Sequence, residues 1–558
     1  MLRKPFYRRP NILFIMVDEE RYPPVYEEPG ITAWRQEALH AHSFLRRHGL
    51  EFTRHYVGAT ACSPSRATLF TGQYPSLHGV SQTTGGAKRS ADSDMFWLDR
   101  NTVPTMGEYF RAAGYRTFYK GKWHFSDPDI WIPGTHIPVR SYTPGTGVPD
   151  PEKERLYLLA DRLDGYGFSG WIGPEPHGRA PHNSGSSAAI GVNGRDVVYR
   201  TEVVELIQQL EQEKDELDHP ESYQPWLIVA SFVNPHDIVL YGDVTAHLPF
   251  FRFHVDDSVP DVPPPPTHDE SLVTKPRCQA SYRDVFPQAF QPISNNEFYR
   301  RLYFQLQKNA DQEVMHVLEA ISQSSFYNET IIIFTSDHGE LLGAHGNLHQ
   351  KFYCAYEESI HVPFIIYSPI LFPQPFYTDQ LTSHVDILPT LLSLIGADTP
   401  AITQLLKQTH SEARHLVGRD LTPLILGEDA TCPTYPECLY FMTEDDVTKG
   451  QHQISVFFQP YHAVIPPNRI ETVIARLYHD DKESLWKYSR YSAPDNDNVS
   501  TNNMAIPDEY ELYNLTSDPL EAYNLASPVY ATPHSERIRL QMEALLQEQR
   551  EQKRLTPR

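Results

Sequence analysis

Four short stretches carry residue types suited to hydrolytic and metal chemistry. Asp18-Glu19 closes the apolar run Asn11–Val17 (NILFIMV). Lys122 and His124 lie in Gly121-Lys122-Trp123-His124, directly after Arg116–Lys120 (RTFYK). His236 and Asp237 follow Trp226–Val233 (WLIVASFV) by way of Asn234-Pro235. Asp337-His338-Gly339 follows Thr330–Ser336 (TIIIFTS). Each apolar run reads as a buried strand, and open α/β sheets bind ligands outside the carboxyl ends of their strands. One such polar residue alone reads as a loop charge. Four strands delivering carboxylates, imidazoles and an ammonium to one edge predict an active site.

Asp18, Glu19 and Asp337 together carry a charge of −3, too concentrated to stand uncompensated, so a divalent cation is expected among them. Oxygen donors favour calcium, with magnesium open. His338 as a nitrogen donor brings manganese into range. The scarcity of cysteine around these residues argues against structural zinc.

Cys62-Ser63-Pro64-Ser65-Arg66 is the second chemical feature. Pro64 suits a first helical position and Ser63 a cap, which predicts a helix from Pro64 to about Thr71, stopped at Gly72. Cys62 would then sit just before a helix N-terminus, where anions bind and a thiol has a lowered pKa. A buried structural cysteine is the commoner role, but it explains neither the polar neighbours nor Arg66.

The elements that must position these residues alternate strand and helix. Val103–Ala113 reads as a helix ended by Gly114, Glu297–Ser322 as a long helix, and Val362–Tyr367 (VPFIIY) as a fifth strand. The pattern predicts an α/β fold: a large mixed, mostly parallel sheet flanked by helices. Asp256–Thr267 contains DVPPPP and reads as an extended loop, as do Tyr142–Pro151 and His177–Ser187. Ile470–Leu477 and Leu485–Tyr491 read as antiparallel strands around a turn at Asp480-Asp481-Lys482, and His534–Arg550 as an amphipathic helix. The expected division is a catalytic domain over 1–428 and a smaller α+β subdomain with an antiparallel sheet over 429–558.

The chain has 558 residues, 40% hydrophobic and 21% charged, as a globular protein has, and carries a formal charge of −23. So acidic a surface disfavours nucleic acid, anionic membranes and polyanionic polysaccharides as partners. The five cysteines (Cys62, Cys278, Cys354, Cys432 and Cys438) are too scattered for a disulfide framework. No apolar stretch is long enough to span a bilayer, and the basic start lacks a cleavage pattern. The expected location is the cytoplasm; a chain trimmed of a signal would look the same and belong in the periplasm or outside the cell.

At these residues the chain resembles the formylglycine-dependent sulfatases of the alkaline-phosphatase-like superfamily. Their signature C-x-P-S-R-x-x-x-L-T-G appears as Cys62-Ser-Pro-Ser-Arg-Ala-Thr-Leu-Phe-Thr-Gly72, with Phe70 in place of the usual leucine. The likeness continues through GKWH (Gly121–His124), SFVNPHD (Ser231–Asp237), TSDHGELLGAHG (Thr335–Gly346), YEESIHVP (Tyr356–Pro363), DILPTLL (Asp386–Leu392) and ELYNLTSDPLEAYNLA (Glu511–Ala526).

The resemblance implies that Cys62 is oxidised to Cα-formylglycine by a formylglycine-generating enzyme or its equivalent, and that the hydrated aldehyde supplies the nucleophilic oxygen. It implies Asp18, Glu19, Asp337 and His338 as metal ligands together with residue 62, and Arg66 as the group holding the diol. Lys122 and Lys351 would bind sulfate oxygens, and together with Arg66 they reverse the negative excess that three carboxylates and a monoanionic ester leave around one divalent cation. His124 would be the base that breaks the hemiacetal, and His236 a sulfate contact and acid for the leaving group. The implied activity is release of sulfate from a small or aryl sulfate ester.

Two departures matter. Many members carry two aspartates at the first strand, where this chain has Asp18-Glu19, and many carry Asp-Asn where it has Asp337-His338. The Asp-His form occurs in phosphonate and phosphodiester hydrolases of the same fold, so that activity is the alternative, although those enzymes usually lack the GKWH lysine and histidine. A non-catalytic anion-binding relative with an unconverted cysteine is a third reading, disfavoured because every catalytic position is retained.

Among the remaining residues, His78 reads as structural within the turn after the signature helix. His345 and His349 are candidates to line the pocket. Trp97, Trp123 and Trp131 read as core rather than cation site. Lys275 reads as a solvated loop charge. Specificity is expected in the loops Tyr142–Ser187 and Phe250–Pro287. Homo-oligomerisation stays open.

Overall fold

The computed structural model describes residues 8–176, 181–185, 194–219, 222–249, 251, 253–372, 374–427, 438–479, 482–493 and 506–558. Seven strands form the main sheet: β1 (Asn11–Asp18), β2 (Leu50–Phe52), β3 (Arg116–Gly121), β4 (Trp226–Pro235), β5 (Thr330–Ser336), β6 (Phe364–Tyr367) and β7 (Phe376–Thr378). Their spatial order is β3-β4-β1-β5-β6-β2-β7. The neighbours β3, β4, β1 and β5 are mutually parallel, whereas β6 pairs antiparallel with both β5 and β2. The expected fifth strand is therefore present but shorter, and it runs against its neighbour. The connection from Ser336 to Phe364 holds only the four-residue helical turns Ala344–Asn347 and Glu357–Ile360, so no crossover helix brings the strand round to a parallel course.

The apolar runs of β1 face two cores. Ile12, Phe14 and Met16 pack with helices α1 (Cys62–Thr71), α2 (Met106–Ala112) and the later helix His384–Leu394. Leu13, Ile15 and Val17 pack with α3 (Arg195–Asp215) and α4 (Asn296–Gln323). A strand covered on both faces has no use for polar alternation, which is why these runs are continuously apolar.

Several boundaries differ from expectation, each for a local reason. The helix expected at Val103 starts at Met106, because Thr105 forms a capping box with Glu108. The signature helix starts at Cys62, not Pro64; Ala61 takes the cap position and Ser63 Oγ is buried without a partner. Pro151 opens a helix, Pro151–Ala160, capped by Asp150, so the segment from Tyr142 to Ser187 is not all loop. The segment Phe250–Pro287 likewise contains most of the helix Arg277–Ala289. Residues 177–180 and 186–187 of the expected His177–Ser187 loop lie outside the described residues, as do Asp480, Asp481 and Cys432.

The C-terminal region forms a separate antiparallel sheet of β8 (Cys438–Thr443), β9 (Arg469–His479), β10 (Lys482–Ser492) and β11 (Glu509–Asn514), covered by α5 (Pro533–Lys553). The expected division at 428/429 falls within 428–437, outside the described residues. β8 lies beside the segment leading to Cys62: Met442 N donates to Gly58 O at 3.1 Å and Thr443 Oγ1 to Thr60 O at 2.5 Å. Lys275, expected in solvent, is buried here, bonded to Tyr513 Oη (2.8 Å) and paired with Glu270 (3.0 Å).

Candidate active site

Parallel pairing puts the carboxyl ends of β1, β3, β4 and β5 on one edge, and that edge meets the N-terminus of α1. Gly121 ends β3 at φ 100°, and a Cβ there would lie 1.9 Å from Ser231 O on β4. Only glycine allows this close approach, which delivers Lys122 beside Asp18.

Arg66, fully buried, organises the centre. Its Nε donates to Asp337 Oδ2 at 2.7 Å and one terminal nitrogen to Asp18 Oδ2 at 2.8 Å. The other terminal nitrogen donates to Lys122 O (2.6 Å) and Ser231 Oγ (2.9 Å). Lys122 Nζ adds a second cation on Asp18 Oδ2 at 2.7 Å. Each aspartate thus spends Oδ2 on cations and turns Oδ1 elsewhere. Asp18 Oδ1 and Asp337 Oδ1 each lie 3.7 Å from His338 Nε2, and Asp18 Oδ1 lies 3.7 Å from Cys62 Sγ. His338 Nδ1 faces Gly339 O at 3.0 Å, which assigns the ring proton to Nδ1 and leaves the Nε2 lone pair facing Cys62 Sγ, 3.0 Å away. Backbone orientation of one ring nitrogen is how metal-binding imidazoles are fixed.

Asp18, Cys62, Asp337 and His338 offer donor atoms within 4.8 Å of one another, and Asp18, Glu19 and His236 form a second such group. Glu19 Oε1 is buried with no partner, while Oε2 takes Lys351 Nζ at 3.0 Å. An orphaned buried carboxylate oxygen beside converging oxygen and nitrogen donors fits a divalent cation.

The electrostatics follow from burial and neighbours. Burial pushes the Asp18 carboxyl up, but Lys122, His236, Arg66 and His338 outweigh it and hold it well below the usual range. Burial and then Asp18 push Asp337 up to about 7, against Arg66. Burial raises Glu19 as well, against Lys351. His124, His236 and His338 are all held well below the ordinary imidazole value by burial, helped by Lys122 for the first two and by Lys351 for His338; all three are neutral near pH 7. The Cys62 thiol runs against expectation: burial, then Asp18, raise its pKa rather than lower it. The helix dipole favours a thiolate, but it is overcome by a fully buried position facing a carboxylate.

The structure brings Asp18, Glu19, Cys62, Arg66, Lys122, His236, Asp337, His338 and Lys351 together through these contacts. His124 stands one residue beyond Trp123, its Nε2 2.8 Å from Thr84 Oγ1. Sequence reasoning missed Glu175, whose Oε1 accepts the backbone N–H groups of Trp123 (3.1 Å) and His124 (3.0 Å). A lone carboxylate in a Gly/Pro-rich stretch gives no signal of that bond. His78 is structural, bonded to Thr68 Oγ1 and Val80 N. Trp123 is core, stacked on Phe125. His349 packs against Phe286 and Tyr299 rather than in this cluster.

His345 also has another job. Its Nδ1 is 3.1 Å from Glu270 and its Nε2 3.3 Å from Glu358, with Glu521 and Lys275 nearby. Burial opposes its charge, but Glu358 and Glu270 prevail and lift its pKa to about 9. A histidine raised above its unfolded value of about 6.5 gives stability that is full below that pH and lost as pH rises through the folded value. The denaturation midpoint is therefore expected to fall between about pH 6.5 and 9, and His345→Gln to flatten that slope. An identical pH profile in the variant would rule the pairing out.

The Sulfatase family model matches residues 10–397. The chain belongs to the sulfatase family. Choline-sulfatase of Rhizobium meliloti (strain 1021) is 25% identical over 537 residues, covering 93% of this chain and 82% of that protein. Human iduronate 2-sulfatase is 25% identical over 434 residues, covering 70% of each. The solved structure of BT1596, a 2-O GAG sulfatase, superposes with a TM-score of 0.62 at 20% identity, over 98% of this chain and 92% of that one. The phosphonate monoester hydrolase of Agrobacterium radiobacter superposes with a TM-score of 0.57 at 19% identity, over 98% and 96%. These two likenesses show the alkaline-phosphatase-like fold alone. Membership of the sulfatase family supports sulfate-ester hydrolysis as the class of reaction.

Proposed function

We propose that this sulfatase releases sulfate from a small or aryl sulfate ester, using Cα-formylglycine made from Cys62 and one divalent cation held by Asp18, Glu19, Asp337 and His338, with calcium the first choice. The convergence of Asp18 Oδ1, Asp337 Oδ1 and His338 Nε2 on the Cys62 side chain carries this reading. Once formed, the hydrated aldehyde supplies an oxygen nucleophile, and the bound cation supplies charge to stabilise it. The remaining work falls to the chain's own groups. Arg66 holds the two aspartates. Lys122 and Lys351 neutralise sulfate oxygens as charge develops on them. His124, neutral at pH 7, takes the proton whose removal expels sulfate, and His236 faces the leaving group. The acidic surface and a choline-sulfatase relative that covers nearly the whole chain favour small esters over polyanionic chains.

The test is a panel of sulfate esters and matched phosphodiesters or phosphonate monoesters, run on protein whose Cys62 conversion has been verified. Catalytic efficiency is expected to favour sulfate esters. Preference for the phosphoryl esters would establish the second reading, which the Asp337-His338 pair favours. Chelation followed by metal analysis is expected to abolish turnover, and added calcium to restore it. Bound at a hundred times its dissociation constant, the cation is expected to add about 2.7 kcal/mol of stability. Full activity in demonstrably metal-free protein would remove the cation from the reaction.

A further inference from the structure

The loop after β3 is held in a costly conformation. His124 has φ 66°, a left-handed backbone that costs a residue with a side chain on the order of 1–2 kcal/mol. The bonds from the Trp123 and His124 N–H groups to Glu175 Oε1, at 3.1 and 3.0 Å, span this conformation. Glu175 is itself anchored at both backbone ends. Its N–H donates to Asp129 Oδ1 at 2.9 Å, and its carbonyl accepts from Asn183 Nδ2 at 2.6 Å. Its second oxygen, Oε2, is buried without a partner. The His124 imidazole is tied through Nε2 to Thr84, and its Nδ1 is buried with no partner. The ring's aim therefore depends on Thr84 at one end and on the Glu175-held backbone at the other.

We infer that Glu175 is a positioning residue for the reaction: by accepting two successive N–H bonds it holds His124 in its left-handed conformation and so aims the imidazole at the Cys62 site. This rests on His124 being the proton acceptor of the proposed reaction. Glu175 touches neither Cys62 nor the four cation donors, so its effect passes through His124. Burial and then Asp129 lift the Glu175 carboxyl to about 8. A neutral amide is therefore a close mimic of it, whereas a shortened or missing side chain is not.

The experiment compares kcat and KM for one sulfate ester in converted wild-type protein, Glu175→Gln, Glu175→Asp, Glu175→Ala, His124→Ala, and the Glu175→Ala/His124→Ala double variant. Glu175→Ala is expected to lower kcat about 10- to 100-fold, as a misaimed group does, with KM within about threefold. Glu175→Gln keeps an oxygen for both bonds and is expected to retain at least about a third of kcat, while Glu175→Asp, one methylene short, loses it. In the His124→Ala background, Glu175→Ala is expected to cost less than about twofold, because the two residues act as one unit. An equal cost with and without His124 would mean a merely structural role and overturn the proposal. So would equal kcat in the Gln, Asp and wild-type proteins, a comparison that stands even if Glu175→Ala fails to fold. If the wild type turns over only a phosphonate monoester, the sulfatase reading fails while the same cycle on that substrate still decides Glu175. If His124→Ala keeps full kcat, His124 is not the base and the inference falls with it.

Discussion

The Cys62→Ala variant is expected to release sulfate at least ~10⁴-fold more slowly than converted wild-type protein, since removing a nucleophile leaves only binding and charge stabilisation. Two different nucleophiles would give that loss, and conversion of Cys62 separates them. A thiolate at residue 62 would have to ionise while fully buried and facing Asp18, and both effects push its pKa up. A cation held by Asp18, Asp337 and His338 would acidify a thiol and a hydrated aldehyde alike, so the proposed oxygen nucleophile is told apart by the chemical state of residue 62 itself. Protein with an unconverted Cys62 is therefore expected to be inactive as well, although it is folded and carries every other group. Sulfate release by Cys62→Ala at the wild-type rate would remove residue 62 from the chemistry.

The Arg66→Ala variant is expected to lose stability as well as activity. Arg66 is fully buried and supplies the shared cation between Asp18 Oδ2 and Asp337 Oδ2. Removing it leaves two buried carboxylates with Lys122 as the main remaining cation, and breaking such a pair costs about 3–5 kcal/mol. The loss should show as a lowered denaturation midpoint in metal-free protein, and added cation should recover part of it by replacing the missing charge. Arg66→Lys is expected to recover little, because one ammonium cannot reproduce a fork that reaches Asp18, Asp337, Lys122 O and Ser231 at once. An unfolding free energy within about 1 kcal/mol of wild type would show that Arg66 is not the clamp described.

The polar strand ends were legible in the sequence because β1, β4 and β5 are buried along their whole length, so their apolar runs stop sharply at the residues that line the site; the edge strand β3 is only partly buried and is marked by Gly121-Lys122 instead. Parallel order then needed only the rule that such sheets bind at their carboxyl edge. The course of β6 was not legible, since an apolar hexapeptide carries no mark of direction. Lys275 reads as solvated because the groups that bury it, Tyr513 Oη and Glu521 O, come from the C-terminal region, while the neighbouring Glu270 in its own loop gives no sign of burial. The pKa of Cys62 was misread for a related reason: position at a helix start is local, whereas burial against Asp18 depends on packing between α1 and β1. Glu175 accepts two N–H bonds from another segment's backbone, a contact that no spacing reveals.

The central claim is that residue 62 works as an oxygen nucleophile made from a cysteine. Intact-peptide mass spectrometry of the Cys62 peptide, taken from protein fractions of graded sulfate-releasing activity, tests this most directly. The aldehyde fraction is expected to rise in proportion to turnover, with inactive protein carrying the thiol. Full turnover from protein whose Cys62 is entirely thiol would contradict the claim.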